Sequence, residues 1–354
     1  MLLPLLSPLL LSLFPSPTAA SKTPLLNVDF PDPAIIYLAQ NKTWYAFATS
    51  SNLKNIQAAS APSASGPWTY LSSVDPLPDP GPWTAGPNSL TWAPSVVSLS
   101  SSGSNSSKSF VMYYSAQLPS NSSAYHCVGA AVSRTSVLGP YVPLPSPLAC
   151  PLSKGGAIDP SGFLDPQTGF RYLVYKVDGN ALGNGGSCGN TVPPLRRTPI
   201  LLQRVNETDG VTLIGEPTAI LDRDEKDGPL VEAPDLWFEE ASQKYVLFYS
   251  NHCWSEEGYS VNYAVSENGI AGRYVKMNGT VIVEGNGEEV RQRALVMTQG
   301  RGDGFNVSAP GGASSYRDED TGRSGIVFHA NCREGRCLFE AGIEMGEDGG
   351  VKVF

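Results

Sequence analysis

Charge is scarce in this chain of 354 residues: only 16% are charged, and 24 Lys and Arg stand against 33 Asp and Glu. The net charge is −9 and the pI near 4.9. A chain so poor in basic residues has no surface for a phosphate backbone, which excludes nucleic acid as a partner. Long apolar runs are also lacking. Beyond residue 20 no stretch approaches the length needed to cross a bilayer, so no membrane partner is expected. No 3.6-residue amphipathic pattern lasts more than two turns, which argues against helical architecture. No two cysteines form a CxxC pair, so zinc and thioredoxin-type redox chemistry have little support.

What is abundant is turn chemistry. Gly 36 and Pro 30, with 41% hydrophobic residues, describe a globular core built from many short strands. The all-β class follows. Residues 1–20 are uncharged and Leu-rich and end in small residues at Thr18, Ala19 and Ala20, as a signal peptide does. Prolines 4, 8 and 15 break that stretch and argue against an anchor. Six cysteines (Cys127, Cys150, Cys188, Cys253, Cys332, Cys337) suit disulfides in a secreted chain, with Cys332–Cys337 the easiest local pair. Six N-x-Ser/Thr sequons start at Asn41, Asn105, Asn121, Asn206, Asn278 and Asn306. They agree with a eukaryotic secretory route, and the acidic pI with mildly acidic extracellular surroundings. "RGD" at 301–303 reads as an ordinary polar turn.

The strands recur. "SAPSASGPWTYL" (60–71), "SRTSVLGPYVPL" (133–144) and "SENGIAGRYVKM" (266–277) each read as strand, turn, strand. Upstream of these, hairpin-like stretches begin at Pro33, Pro94, Ser161, Pro234 and Pro310. The repeat gives five units of about four strands, with heads at Asp32, Ala93, Asp159, Glu232 and Ala309, 61 to 77 residues apart. Four-stranded units repeated radially make a β-propeller, here five-bladed, in a single domain over 21–354. "SSSGSNSSKS" (100–109) reads as a glycosylated hairpin tip, and "DGNALGNGGSCGN" (178–190) as a loop over one channel mouth.

Three heads carry an acid: "DFPDPAIIY" (29–37), "AIDPSGFLD" (157–165) and "VEAPDLWF" (231–238). The first strand of a propeller blade lines the central channel, so acids at the heads of blades I, III and IV converge at one mouth. The prolines predict stiff, extended strand starts. Three converging carboxylates suit glycoside hydrolysis. One donates a proton to the leaving oxygen, a second activates water from the opposite face roughly 6.5–9.5 Å away, and a third raises the first one's pKa.

Taken in order along an all-β chain of five units, these phrases resemble the signature of glycoside hydrolase family 43. The resemblance spans essentially all of the chain after residue 20, including the "GPW/Y" blade endings. It implies an inverting glycosidase acting on α-L-arabinofuranosyl or β-D-xylosyl units. It assigns Asp32 as general base, Glu232 as general acid and Asp159 as the carboxylate that tunes and orients the acid. The related sucrose- and fructan-acting propellers carry "WMNDPNG"-like and "RDP" phrases, which are absent here.

Asp29 lacks the direct Asp-Pro step and ranks below Asp32, while Asp235 is expected to face away from the channel as a structural hydrogen-bonder. Asp165 reads as a hairpin turn and "DRDEKDG" (222–228) as a solvated loop. Trp92, at the blade II head, is a sugar-stacking candidate or a core tryptophan. His329 is a candidate for a structural metal in the channel, calcium by resemblance, or a buried hydrogen-bonded histidine. His126 and His252 adjoin cysteines and read as loop packing. Arg291 and Arg293 are candidates for a sugar-facing arginine, or else a solvated edge. No cofactor is required for catalysis, and a monomer is expected with carbohydrate as its partner. The competing account is a propeller that binds glycans without cleaving them. The absence of a trailing domain leans towards arabinan-type or small exo-acting enzymes.

Overall fold

The computed structural model describes residues 23–87, 89–99, 109–119, 125–256, 258–266, 268–277, 280–283, 289–292, 295–297, 307–347 and 349–354, the short segments between 280 and 297 by backbone alone. The leader at 1–20, the tip at 100–108, "RGD" and the sequons at Asn105, Asn121, Asn278 and Asn306 lie outside them.

Five antiparallel four-stranded sheets follow one another. Blade I is β1 (Ala34–Leu38), β2 (Thr43–Ala48), β3 (Gln57–Ala61) and β4 (Thr69–Tyr70). Blade II is β5 (Thr91–Leu99), β6 (Ser109–Gln117), β7 (His126–Ser133) and β8 (Val142–Pro143). Blade III is β9 (Ala157–Leu164), β10 (Arg171–Val177), β11 (Ile200–Val205) and β12 (Leu213–Leu221). Blade IV is β13 (Val231–Glu239), β14 (Lys244–Asn251), β15 (Ser260–Ser266) and β16 (Val275–Lys276). A hairpin of β17 (Thr280–Val283) and β18 (Glu289–Gln292) comes next, then β19 (Leu295–Met297), which pairs with β15. Blade V is β20 (Ser308–Arg317), β21 (Ser324–Cys332), β22 (Gly335–Met345) and β23 (Val351–Val353). The five repeats read from the sequence are these five blades.

The second strand of each blade explains why the ring holds. Strand period two sends alternate side chains to opposite faces, and here both faces meet a neighbouring blade. In β14, Val246 and Phe248 pack towards blade V while Tyr245, Leu247 and Tyr249 pack towards blade III. In β6, Phe110, Met112 and Tyr114 face blade I while Val111 and Tyr113 face blade III. The near-continuous apolar runs of these strands follow from burial on both faces. Five apolar clusters result, one at each junction between blades, including that of blade V with blade I.

Blade V meets blade I through the chain's own beginning. β23 pairs only with the distal half of β22, from Ile343 to Met345. The free edge nearer the site is taken by residues 25–30: Leu25 N–H donates to Leu338 O at 2.8 Å and Phe30 N–H to Arg336 O at 2.7 Å. Disulfides Cys127–Cys150, Cys188–Cys253 and Cys332–Cys337 use all six cysteines, including the local pair expected. Cys188–Cys253 joins the long blade III loop to the β14–β15 loop of blade IV.

The strand starts correct one expectation. The residues before the head prolines are not extended. Asp32, Ala93, Asp159, Ala233 and Ala309 have φ of 51°, 45°, 55°, 50° and 48°. The cause is a β-bulge: the ladder shifts between Trp92 and Ser95, between Glu232 and Asp235, and opposite Val174–Lys176. Non-glycine residues at positive φ are strained and persist where their surroundings over-determine them. Here the turned amides are captured by the preceding blade. Ala93 N–H donates to Thr49 Oγ1, Asp159 N–H to Ser115 Oγ and Asp32 N–H to His329 Nδ1, at 2.9–3.0 Å.

Candidate active site

The bulge also fixes which residues correspond between blades. Aligned on the positive-φ residue, Ala233 and not Glu232 is the equivalent of Asp32 and Asp159. Glu232 stands one place earlier, opposite Ser250, as Trp92 stands opposite Ser115. Two acids therefore sit on the kinked head residues and the third on the last regular pair before a kink. All of Asp32, Asp159 and Glu232 lie at the same end of the axial channel, whose wall includes Asp32, Ala93, Asp159, Ala233 and Gly312.

The three acids have different surroundings. Asp32 Oδ2 accepts the Thr49 hydroxyl at 2.5 Å, and the Arg336 guanidinium lies 3.8 Å from Oδ1. Burial pushes its pKa up; the Arg336 guanidinium foremost, with the Thr49 hydrogen bond, opposes this, and the net direction is below the ordinary value. Asp159 goes the other way. Burial and the neighbouring charge of Glu232 lift its pKa well above the ordinary value, with Asp32 adding to the rise and Lys176 and the Ala233 amide opposing it. Its Oδ2 accepts Ala233 N–H at 2.9 Å, which ties it to the backbone beside Glu232. Glu232 is 8% exposed and accepts at both oxygens, from Lys176 Nζ on Oε2 and from Tyr259 Oη on Oε1, each at 3.0 Å. A carboxylate whose anion is favoured, Asp32, across from one whose protonated form is favoured, Asp159, is the kind of division that general base and general acid catalysis needs.

Lys176, Tyr259, Arg336 and Thr49 were not singled out from sequence. Lys176 carried a visible signal, a charge inside the apolar strand "YLVYKV". It is fully buried and also pairs with Asp178 Oδ1 at 3.0 Å. Tyr259 lies against Gly311, where a Cβ would meet its ring at 2.0 Å, so the glycine is a condition of its placement. The ring stacks on His329 at 5.9 Å.

The other candidates fall into place as follows. His329 is buried, with its pKa pushed down to about 3 by burial. Its Nδ1 accepts the Asp32 amide, so the neutral ring carries its proton on Nε2, which has no partner among the described residues. A buried N–H donates to a water or a hydroxyl and cannot ligate calcium, a cation that takes oxygen ligands. The residues therefore do not fit a metal held directly by His329. Trp92 is half-buried and stacks on His126, ring centroids 3.6 Å apart, so one indole face is packed as a core residue's would be. His126 thus supports the site's edge, and His252 packs in its loop against Gly228 and Gly258.

Arg291 lies on β18, with its side chain outside the described residues, and Arg293 lies outside them altogether. The arginine beside the acids is Arg336 of β22. Its guanidinium covers the ring of Trp254, itself 50% exposed, at 4.9 Å. Asp29 is structural, as its ranking implied, accepting Arg336 N–H and the Ser51 hydroxyl. Asp235 is the hydrogen-bonder expected, bonded to Ser161 and Ser315, but the bulge turns it onto the channel wall and not away from it. The 222–228 segment is less solvated than expected: Asp227 is buried, caps a short 3-10 turn with Asp224 and pairs with Lys276.

Solved structures share this architecture. A thermostable family-43 glycoside hydrolase is 22% identical, with TM-score 0.68 over 93% of this chain and 95% of its own. An endo-1,4-beta-xylanase from Bacteroides thetaiotaomicron is 20% identical, with TM-score 0.63 over 94% and 96%. The alpha-L-arabinanase of Cellvibrio cellulosa, complexed with arabinohexaose, is 19% identical, with TM-score 0.60 over 92% and 96%. Among curated proteins none matches the chain. The model of the glycosyl hydrolases family 43 matches residues 21–350. With that match spanning all five blades and the three acids, the chain belongs to glycosyl hydrolase family 43 and is an inverting glycosidase.

Proposed function

We propose that this protein is a secreted, monomeric glycoside hydrolase that removes or cleaves arabinofuranosyl or xylosyl units in plant cell-wall polysaccharides or their oligosaccharides. The observation that carries the reading is the meeting of Asp32, Asp159 and Glu232 at one channel mouth with opposed electrostatics. Asp32 is the base: it takes a proton from a water whose oxygen attacks the anomeric carbon. Glu232 is the acid: it passes a proton to the glycosidic oxygen as the bond to that carbon breaks. The water and the leaving group lie on opposite faces of the ring, so configuration inverts. Asp159, pinned to the Ala233 amide and with its own pKa raised by burial and by the neighbouring Glu232 charge, orients and tunes the acid. Arg336 takes the sugar-facing part for which Arg291 and Arg293 are the candidates by sequence, and the open face of Trp92 stacks on the pentose. The pairing of all six cysteines supports an oxidising, extracellular setting.

Pentose specificity is supported by the arabinanase and xylanase among the similar structures, whose substrates are those proteins' own. The test is product release from aryl arabinofuranoside, aryl xyloside, linear arabinan, xylan, arabinoxylan and sucrose. Release of arabinose or xylose from at least one is expected, with sucrose untouched. Glycan binding without release from any substrate makes the non-catalytic propeller the better account, and sucrose cleavage the fructan-type one.

A further inference from the structure

Lys176 occupies a position that has a structural duty in other blades. The residues opposite the last regular pair before each kink correspond: Ser115 faces Trp92, Ser250 faces Glu232 and Lys176 faces Ile158, while Thr49 N–H bonds to Pro31 O. Three of these four are hydroxyl residues, and each accepts a kinked amide from the next blade: Thr49 from Ala93, Ser115 from Asp159, Ser250 from Gly312. A lysine has no acceptor. At the junction of blades III and IV the amide of Ala233 goes instead to Asp159 Oδ2, and the ammonium of Lys176 goes to Glu232.

We propose that Lys176 is a positioning residue for the acid, placed where every other blade carries an acceptor for a kinked amide (a hydroxyl in three, His329 in the fourth), so that its charge sets when the adjoining carboxyls Asp159 and Glu232 give up a proton. The inference rests on the reading of Glu232 as the acid. By occupying Oε2, the ammonium leaves Oε1, on the Tyr259 side, as the oxygen that carries the transferable proton. After transfer, the same ammonium faces the glutamate anion. Unopposed, so close a cation in a buried site would strip the proton too early. Asp178, on the other side of Nζ, divides the ammonium's attention and prevents this.

The charged groups around Lys176 are Asp159 from β9, Asp178 just after β10 and Glu232 from β13, with Tyr259 and Asp32 beyond them. Removing the cation and removing its second partner must therefore act in opposite directions. In Lys176→Met the basic limb of the kcat/KM profile moves up by about one pH unit or more, because the pair holds its proton more tightly. In Asp178→Asn the ammonium is left to Glu232 and the basic limb moves down. A structural defect would lower activity at every pH without moving the limb either way.

The experiment measures both the pH–rate profile on the best pentoside and the titration of carboxyl carbons by ¹³C NMR in wild type, Lys176→Met and Asp178→Asn. Opposite shifts in the two variants are expected. Shifts in the same direction, or none, overturn the inference. The NMR titration needs no turnover, so an inactive wild type would count against the proposed function while Lys176 was still tested. Asp178→Asn leaves the buried lysine in place and serves alone if Lys176→Met does not fold; an unmoved limb and titration in that variant overturn the inference.

Discussion

At the scale of single residues, the site is a contest between burial and a few partners. Asp32 and Asp159 hold equivalent positions and the same backbone kink, yet their pKa values move in opposite directions. Arg336 is the principal difference on the Asp32 side. Replacing it with leucine removes the charge that opposes burial, so the carboxylate's pKa rises. A base works only when ionised. The acid limb of kcat/KM in Arg336→Leu is therefore expected at higher pH than in wild type, while the basic limb stays in place. An acid limb that does not move would mean that Arg336 contacts sugar but does not tune Asp32. None of this was legible in the sequence. Arg336 is remote from Asp32 along the chain, and its approach depends on residues 25–30 lying along the edge of β22.

At the scale of elements, the bulged first strands connect fold and site. The acid-proline phrases marked the starts of the three blades, because a proline at a strand start and an apolar run after it are local signals, but in blade IV the head residue is Ala233, one place after Glu232. The conformation was misread for an equally local reason. The extended preference of a residue before proline yields to a tertiary hydrogen bond that captures the turned amide. The same bulge turns Asp235 to the channel wall, where it accepts from Ser161 of blade III and Ser315 of blade V and so fastens three blades. Burial raises its pKa from 3.8 to about 6, against those hydrogen bonds. A carboxyl with a raised folded pKa contributes its full stability below the unfolded value of 3.8 and loses it as pH rises through about 6. The loss comes to about 3 kcal/mol. Asp235→Asn cannot ionise, so its loss of unfolding free energy between pH 3.5 and 7 should be smaller than wild type's by up to that amount. Urea titrations at the two pH values measure it. Equal losses would show that Ser161 and Ser315 keep the carboxylate ionised.

At the scale of the whole molecule, five apolar junctions make a closed ring, and the ring is what brings residues 200 positions apart to one mouth. The repeat was readable because each blade needs the same alternation and the same turns. The β17–β18 hairpin and the β19 strand were not, since they interrupt the repeat between blades IV and V. Carboxylates announce themselves at strand heads, whereas the groups that tune them arrive from other blades. Lys176 comes from β10, Tyr259 from the residue just before β15 and Arg336 from β22.

The central claim is that Glu232 supplies the proton and Asp32 activates the water, and leaving-group dependence tests it most directly. Kinetics would be measured for wild type, Glu232→Gln and Asp32→Asn on aryl pentosides of graded leaving-group pKa and on the natural oligosaccharide. Glu232→Gln is expected to lose about 10²–10⁴-fold on the oligosaccharide and to recover much of that loss on dinitrophenyl pentosides, which depart without a proton. Asp32→Asn should be crippled on every substrate alike. The reverse pattern, with Asp32→Asn rescued by a good leaving group and Glu232→Gln not, would contradict the assignment.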